Sequence, residues 1–501
     1  MSSSVVRFAL APLLALLLML AGSERLLDVA LHNPLLAYAN NYDMIRLEAC
    51  HQVWSADPAI ALDRGTPEAP IRFYTRDRHL DTTCFHSSAL LFTTAGLGLA
   101  EVWRLLSNSQ LLDLQMIGLA AALTLLITGW LATLYFLRRR CKTALVGHAL
   151  VFAAVMCDPG ITLYLSTFYS EFAAAYFLYL SLLGLVVLAL ENWCLRWSVP
   201  CLAGLVGLAL SKPQHLPLAL LMGAMMALYV GQRRRFTLAA VLLGSVVLPA
   251  LLTATPTWTA RDEPMAWANK ANVLMALLST VPEARRSGIL HALQLPGDCR
   301  RLASGNWRTL DLAHRATCPE AGELRYQHLV GLFVREPSLP LTLVTAAIPR
   351  TQKWLIGRLG QVEGRDRGRA SEYGWSLSEP IMMLSQRGYI AFFCAPLVAV
   401  LVVYGWHLFH RRLPNNRLFG ATLLAVMQWA VVVIAVIGDG FVDMDKHAHL
   451  AGALLLAQVC LWILAAYPCT SCCIKYGLYQ LIAQLDGHHR LTVKKPPHRL
   501  R

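Results

Sequence analysis

What most constrains this chain is a succession of apolar runs, each near the ~20 residues that a helix needs to cross a bilayer. About ten occur, at residues 5–21, 114–137, 144–164, 172–190, 198–210, 216–230, 236–252, 389–408, 418–437 and 450–467. Backbone groups in hydrocarbon must be satisfied within their own segment, so such runs predict helices. The expected fold is an all-α polytopic membrane protein. Composition agrees, since 56% hydrophobic and 15% charged residues and a mean hydropathy of +0.48 exclude an ordinary soluble domain. The formal charge of +14 suits basic loops resting on anionic lipid. Nucleic acid is excluded as a partner, because the basic residues sit beside the spans and not on one soluble face.

Lys and Arg in the short connections set the orientation. Arg138, Arg139, Arg140 and Lys142, then Arg233 to Arg235, Arg411 and Arg412, and Lys494 and Lys495 all belong inside, which puts both termini in the cytoplasm. Residues 88–106 are apolar enough to resemble a span, yet counting them would move Arg138 to Arg140 outside, and they carry Glu101 and Arg104. They are expected to form a helix lying along the outer face. The resulting organisation is a first, uncleaved span at 1–22, a first outer loop at 23–110 and spans two to seven at 111–254. A second outer insertion at 255–387, spans eight to ten at 388–467 and a basic cytoplasmic tail at 468–501 follow. Of 13 Cys, each insertion holds two, which predicts disulfides Cys50 to Cys84 and Cys299 to Cys318 in an oxidising compartment. Cys469, Cys472 and Cys473 lack a second pair at zinc-ligand spacing and read as ordinary or lipid-modified thiols.

Ionisable groups at the ends of spans are costly and tend to be functional. Four clusters stand out: Asn40, Asn41, Asp43 and Arg46; Asp158-Pro159-Gly160 with Phe168 to Glu171; Lys212, Gln214 and His215; and Asp439, Asp443, Asp445, Lys446, His447 and His449. All four open on the outer side. Each has a structural alternative: a helix-surface ion pair for Asp43 and Arg46, a helix end for Asp158-Pro159-Gly160, a first-turn acid favouring the helix dipole for Glu171, and snorkelling for Lys212. The last cluster exceeds what a solvated turn needs. Acids, cations and amides beside apolar spans suit a lipid-linked phosphate, with Lys or Arg to neutralise the phosphate and a carboxylate to take a proton from an acceptor hydroxyl. No nucleotide-binding or Ser-nucleophile motif competes.

The stretches "NNYDMIR" (40–46), "YLSTFYSE" (164–171), "SKPQ" (211–214) and "GDGFVDMDKH" (438–447) resemble the polar signatures of membrane glycosyltransferases of the GT-C type. More narrowly, they resemble bacterial glycan-biosynthesis hexose transferases of the WsfD type. The resemblance implies a GT-C-like bundle in the bacterial inner membrane and a polyprenyl-phosphate sugar donor. It places Asp43 as the first-loop acid, Glu171 as a second acid, and Lys212, Gln214, Asp439, Lys446 and His447 around the site. Asn41, Arg46, Asp158 and Asp443 are further candidate substrate-binding residues. No acidic pair of DxD form occurs at Asp43, so a divalent metal is unsupported and no cofactor is expected.

The expected chemistry is inverting transfer. Asp43 removes the acceptor proton, Lys212 and Lys446 stabilise the departing phosphate, and Glu171 orients the acceptor or shares the base role. The expected acceptor is a cell-envelope glycan or a lipid-linked acceptor. Trp258, Trp267, Trp354 and Arg350 of the second insertion are candidates to shape its groove. Two other classes remain open: a glycan polymerase or ligase, and a lipid-linked sugar flippase or transporter. A transporter would be expected to show midplane charges and an inverted repeat.

Overall fold

A computed structural model describes residues 3–39, 41–57, 69–76, 84–253, 263–304, 318–354, 360–364, 376–410 and 415–465. The chain is mostly helical, and among the described residues seven helices are long and apolar enough to cross a membrane. They are α1 (Ser3–Leu31), α4 (Gln115–Arg138), α7 (Glu171–Leu190), α9 (Leu216–Gln232, whose apolar window starts at Pro213), α10 (Phe236–Thr253), α16 (Gln386–Phe409) and α17 (Asn416–Asp439). At the other three expected runs the apolar helices are shorter than these seven: α5 (Lys142–Val151, continued by a π turn over Phe152–Met156), α8 (Val199–Ala209) and α19 (His449–Ala465). Large apolar side chains stay exposed on the outer faces of these helices, such as Ile127 and Leu131 on α4, Leu248 and Leu251 on α10, and Leu401 and Val402 on α16. A bilayer covers such faces at no cost.

Where two helices approach closely, small residues make room. The position a Cβ would take on Gly184 of α7 lies 2.3 Å from the Cys201 backbone of α8, and that on Gly204 of α8 lies 2.4 Å from Ser181. Packing of this kind replaces the hydrophobic driving force that lipid removes.

The first helix runs ten residues beyond the apolar stretch expected to span, through Ser23, Glu24 and Arg25 to Leu31. Ser23 donates to the Met19 carbonyl at 2.6 Å and accepts from Trp130 Nε1 at 3.2 Å, so its hydroxyl asks nothing of water. Met19, Leu26 and Ala30 continue one buried stripe at helical spacing. The helix ends before Asn33-Pro34, where proline restricts the preceding residue.

The first insertion also departs from an all-helical plan. It contains α2 (Asn41–His51), α3 (Leu90–Leu106) and two strands, β1 (Trp54–Ser55) and β2 (Phe73–Thr75), which join β3 (Leu112–Asp113) just past its end in a small antiparallel sheet ordered β1-β2-β3. Ser55 opposes Tyr74 and Phe73 opposes Asp113. Arg72 grips both Asp113 carboxylate oxygens, at 2.9 to 3.2 Å. Strands this short give no alternation to read. Both expected disulfides form: Cys50 and Cys84 have Cα atoms 4.4 Å apart, and Cys299 and Cys318 5.0 Å apart.

The second insertion is a helical cap. It contains α11 (Glu263–Thr280), α12 (Glu283–Ala292), α13 (Tyr326–Arg335), α14 (Ser338–Ala347) and α15 (Ser378–Met382). Ala271 to Leu278 of α11 are all buried, which seats this helix against α17. The tail from 466 on, including Cys469, Cys472 and Cys473, lies outside the described residues.

Candidate functional site

Three of the four sequence clusters meet. Glu171 opens α7 and is 2% exposed, with its carboxylate in the first turn where the helix dipole favours an acid. The turn before it is fixed by Thr167, whose hydroxyl donates to the Tyr164 carbonyl at 2.7 Å and accepts from the Tyr169 amide at 3.2 Å. Lys212 stands in the break between α8 and α9. Pro213 biases the residue before it toward extended backbone, and Lys212 has φ −161° and ψ 146°. This turns its side chain out of the helical path, and Nζ reaches Glu171 Oε1 at 3.2 Å.

From Lys212 the network continues into the loop after α17. Lys212 Nζ donates to His447 Nδ1 at 3.5 Å, and His447 Nε2 donates to Asp439 Oδ2 at 2.7 Å. These partners require the neutral tautomer with its proton on Nε2. Burial, reinforced by the Lys212 charge, holds the His447 imidazole below its ordinary range, although the Asp439 bond opposes the shift. Asp439 Oδ1 in turn accepts from Asn272 Nδ2 at 2.7 Å. The chain Glu171, Lys212, His447, Asp439 and Asn272 joins residues from five separate segments.

The loop that carries His447 is held in a demanding shape. Gly440 has φ +62°, and a Cβ there would lie 2.2 Å from the Asn272 carbonyl oxygen, so only glycine fits. Asp443 adopts φ +45°, a left-handed conformation that costs free energy and is concentrated at functional sites. Three residues on, in α18 (Met444–His447), Lys446 is 1% exposed. Its Nζ lies 3.7 Å from Asp443 Oδ2 and 5.4 Å from the centre of the Tyr169 ring. His449 donates from Nδ1 to the Lys446 carbonyl at 2.7 Å and places Nε2 3.2 Å from the Glu171 carbonyl. Gln214 lies against Gly438.

Two narrow clefts flank this network. One has Gln214, His215 and His447 at its polar end and Leu218, Val431 and Ile434 along its apolar walls, between α9 and α17. The other lies between α3, α4 and α7, with Phe92, Thr93, Ile117, Tyr164, Thr167 and Phe172 among its lining. Beside the second cleft runs the segment holding Thr162, Tyr164 and Ser166. Their hydroxyls are buried without a hydrogen-bond partner among the described residues, an uncommon state for buried donors. The Tyr164 ring packs 5.5 Å from that of His449, which links this cleft to the charged network.

The other candidates lie elsewhere or outside the description. Asp158 caps the short helix α6 (Pro159–Thr162) by accepting from the Gly160 amide at 3.0 Å. Its other partners are Ser376 and Ser378, each at 2.8 Å, and Arg25 at 3.5 Å; none belongs to the network. Arg46 lies 6.0 Å from the Phe85 ring, on the side of the Cys50–Cys84 bridge. Asn41 and Asp43 fall in the first turn of α2, but their side chains, like the whole of Asn40, lie outside the described residues. The next residue, Met44, accepts from the Phe168 amide through Sδ at 3.4 Å, so α2 starts beside the turn that leads into Glu171.

Among the residues of the second insertion, Trp267 donates to the Pro319 carbonyl at 3.1 Å and Trp354 packs against Gly160 and Gly452. Both are structural contacts. Arg350 stacks 4.3 Å from the Phe441 ring, next to the site loop, and Trp258 lies outside the described residues. Cys299, Cys318 and Glu320 gather closely, but the two sulfurs are joined in a disulfide and cannot serve as thiolate ligands. Sequence reasoning missed Asn272, whose signal was an amide at the start of the apolar run 271–278, and Tyr164.

No family model, curated protein or solved structure matches this chain.

Proposed function

We propose that the chain is an integral membrane glycosyltransferase that moves a hexose from a polyprenyl-phosphate donor to a cell-envelope glycan or lipid-linked acceptor. In this reading it lies in a bacterial inner membrane, with the reaction on the outer face and both termini in the cytoplasm. The observation that carries the proposal is the largely buried Glu171, Lys212, His447 and Asp439 network beside an apolar cleft between two helices. An ammonium has three donors. Lys212 uses one on Glu171 and one on His447, which leaves one for a phosphate oxygen, and its side chain keeps 18% of its exposure. The apolar walls at Leu218, Val431 and Ile434 suit the lipid end of such a donor.

In the mechanism we propose, Lys212 and Lys446 stabilise the charge that builds on the departing phosphate, an effect that a dry site strengthens. Glu171 keeps Lys212 in place, and His447 with Asp439 fixes its direction. Asp43, in the first turn of α2, takes the proton from the acceptor hydroxyl. The hydroxyls and aromatic walls of the second cleft suit the acceptor sugar.

The deciding experiment supplies the purified chain with a polyprenyl-phosphate monosaccharide and follows single-sugar addition by mass spectrometry. Absence of both transfer and binding of the lipid donor would overturn the proposal.

A further inference from the structure

The second insertion carries an apolar surface that the proposed chemistry does not use. Together, α13 and the segment Ser338–Gln352 are long and apolar enough to form one span, yet they meet at an angle of 107°. On α13 the exposed apolar residues are Tyr326, Val330 and Val334, at 42%, 57% and 76%. They are spaced i, i+4 and i+8, so they form one stripe and not scattered surface contacts. The opposite face, Leu329 and Leu332, is in the core. Leu341 of α14 is 65% exposed.

Two hydroxyls beside this surface are satisfied within their own helix. The hydroxyls of Thr342 and Thr345 fold back onto the Ser338 and Leu341 carbonyls, each at 2.8 Å, and so leave no donor unsatisfied. Exposed Arg325 and Arg335 stand at the two ends of α13, where cations meet lipid phosphates. In contrast, α12 presents exposed Glu283, Arg285 and Ser287, and Arg285 pairs with Glu336 at the bend. The elbow continues into Ile348–Gln352, from which Arg350 reaches Phe441 of the site loop. It therefore sits on the same side of the bundle as the site.

We propose that α13 is an interfacial helix whose Tyr326, Val330 and Val334 stripe binds bilayer lipid, with Arg325 and Arg335 on the headgroup phosphates. The helical cap is thereby seated on the leaflet next to the site. The inference is independent of the transferase reading, because it concerns lipid contact and not turnover.

The test places the photoreactive residue benzoylphenylalanine at Val330, at Val334 and, as a control on α12, at Ser287. The full-length chain is reconstituted in vesicles of phosphatidylethanolamine and phosphatidylglycerol, irradiated and analysed by mass spectrometry. All three positions are exposed, so the fold is undisturbed; a thermal midpoint equal to the parent's verifies this. Phospholipid adducts at 330 and 334 several-fold above those at 287 are the expected result. Adducts no more frequent than at 287, or cross-links to a second copy of the chain, would overturn the proposal.

Discussion

Replacing Lys212 with Met keeps most of the unbranched apolar stem, removes the charge, and so isolates what the ammonium does. In the parent, Nζ lies 3.2 Å from Glu171 Oε1, and Glu171 is 2% exposed. Removing one partner of a buried pair strands the other charge, at about 3–5 kcal/mol. Lys212 keeps 18% of its side-chain exposure, so water reaches the pair and the expected loss is near the lower end, about 3 kcal/mol. Glu171→Gln strands the ammonium instead, which hydrates more readily at its exposed end, and the loss is smaller. The double variant leaves neither charge stranded and recovers most of the stability, with a coupling of about 2 kcal/mol. Unfolding of the reconstituted protein, followed by tryptophan fluorescence, measures all four forms. If the two single losses add within about 0.5 kcal/mol, the pair is uncoupled and the reasoning fails. Function separates from stability in this cycle: the restored double variant should still bind no polyprenyl phosphate.

Asp43→Asn keeps shape and hydrogen bonding but removes the base, and sugar transfer should fall by a factor of about 10² to 10⁴ while donor binding survives; transfer at the parental rate would move the base role to Glu171. Burial lifts the Glu48 carboxyl on α2 from 4.5 to about 8, against a hydrogen bond from Tyr74 that works to lower it. A carboxyl raised in the folded state contributes stability that is present below its unfolded value and lost as pH rises through the folded one. Thermal midpoints of the parent should therefore decline between pH 4.5 and about 8, and Glu48→Gln should flatten that decline; parallel curves for the two proteins would contradict it. Gly440→Ala should lower the midpoint and disable the site, because the left-handed backbone adds about 1–3 kcal/mol of strain to the clash with Asn272. Gly438→Ala meets only the flexible end of Gln214, at 3.3 Å, and should be mild; equal effects of the two substitutions would refute the argument.

How much of the site was legible depends on the range of the interaction that builds it. Pro213 announces the break that frees Lys212, and Glu171 announces the start of α7, because both act on neighbouring backbone. Gly440 likewise marks a turn. The pairing of Lys212 with Glu171, forty-one positions away, and of His447 with Lys212, two hundred and thirty-five away, has no local signature. Asp158 illustrates the limit from the other side. The same Asp-Pro-Gly that suits a polar site also suits a helix start, and the structure gives it to Gly160, Ser376, Ser378 and Arg25.

The sequence by itself determined the apolar helices, since lipid leaves a backbone no alternative to internal hydrogen bonds. It also determined both disulfides, since each insertion offers only one pair of cysteines. It did not show how far the first helix continues, because Ser23 and Arg25 look like the edge of a membrane, whereas Ser23 accepts from Trp130 and Arg25 pairs with Asp158. Tertiary structure alone decided which polar groups share a site and that Asn272, from the second insertion, completes the network. The physical reason is that a buried charge is tolerable only beside a partner, and which partner arrives is fixed by how the helices pack.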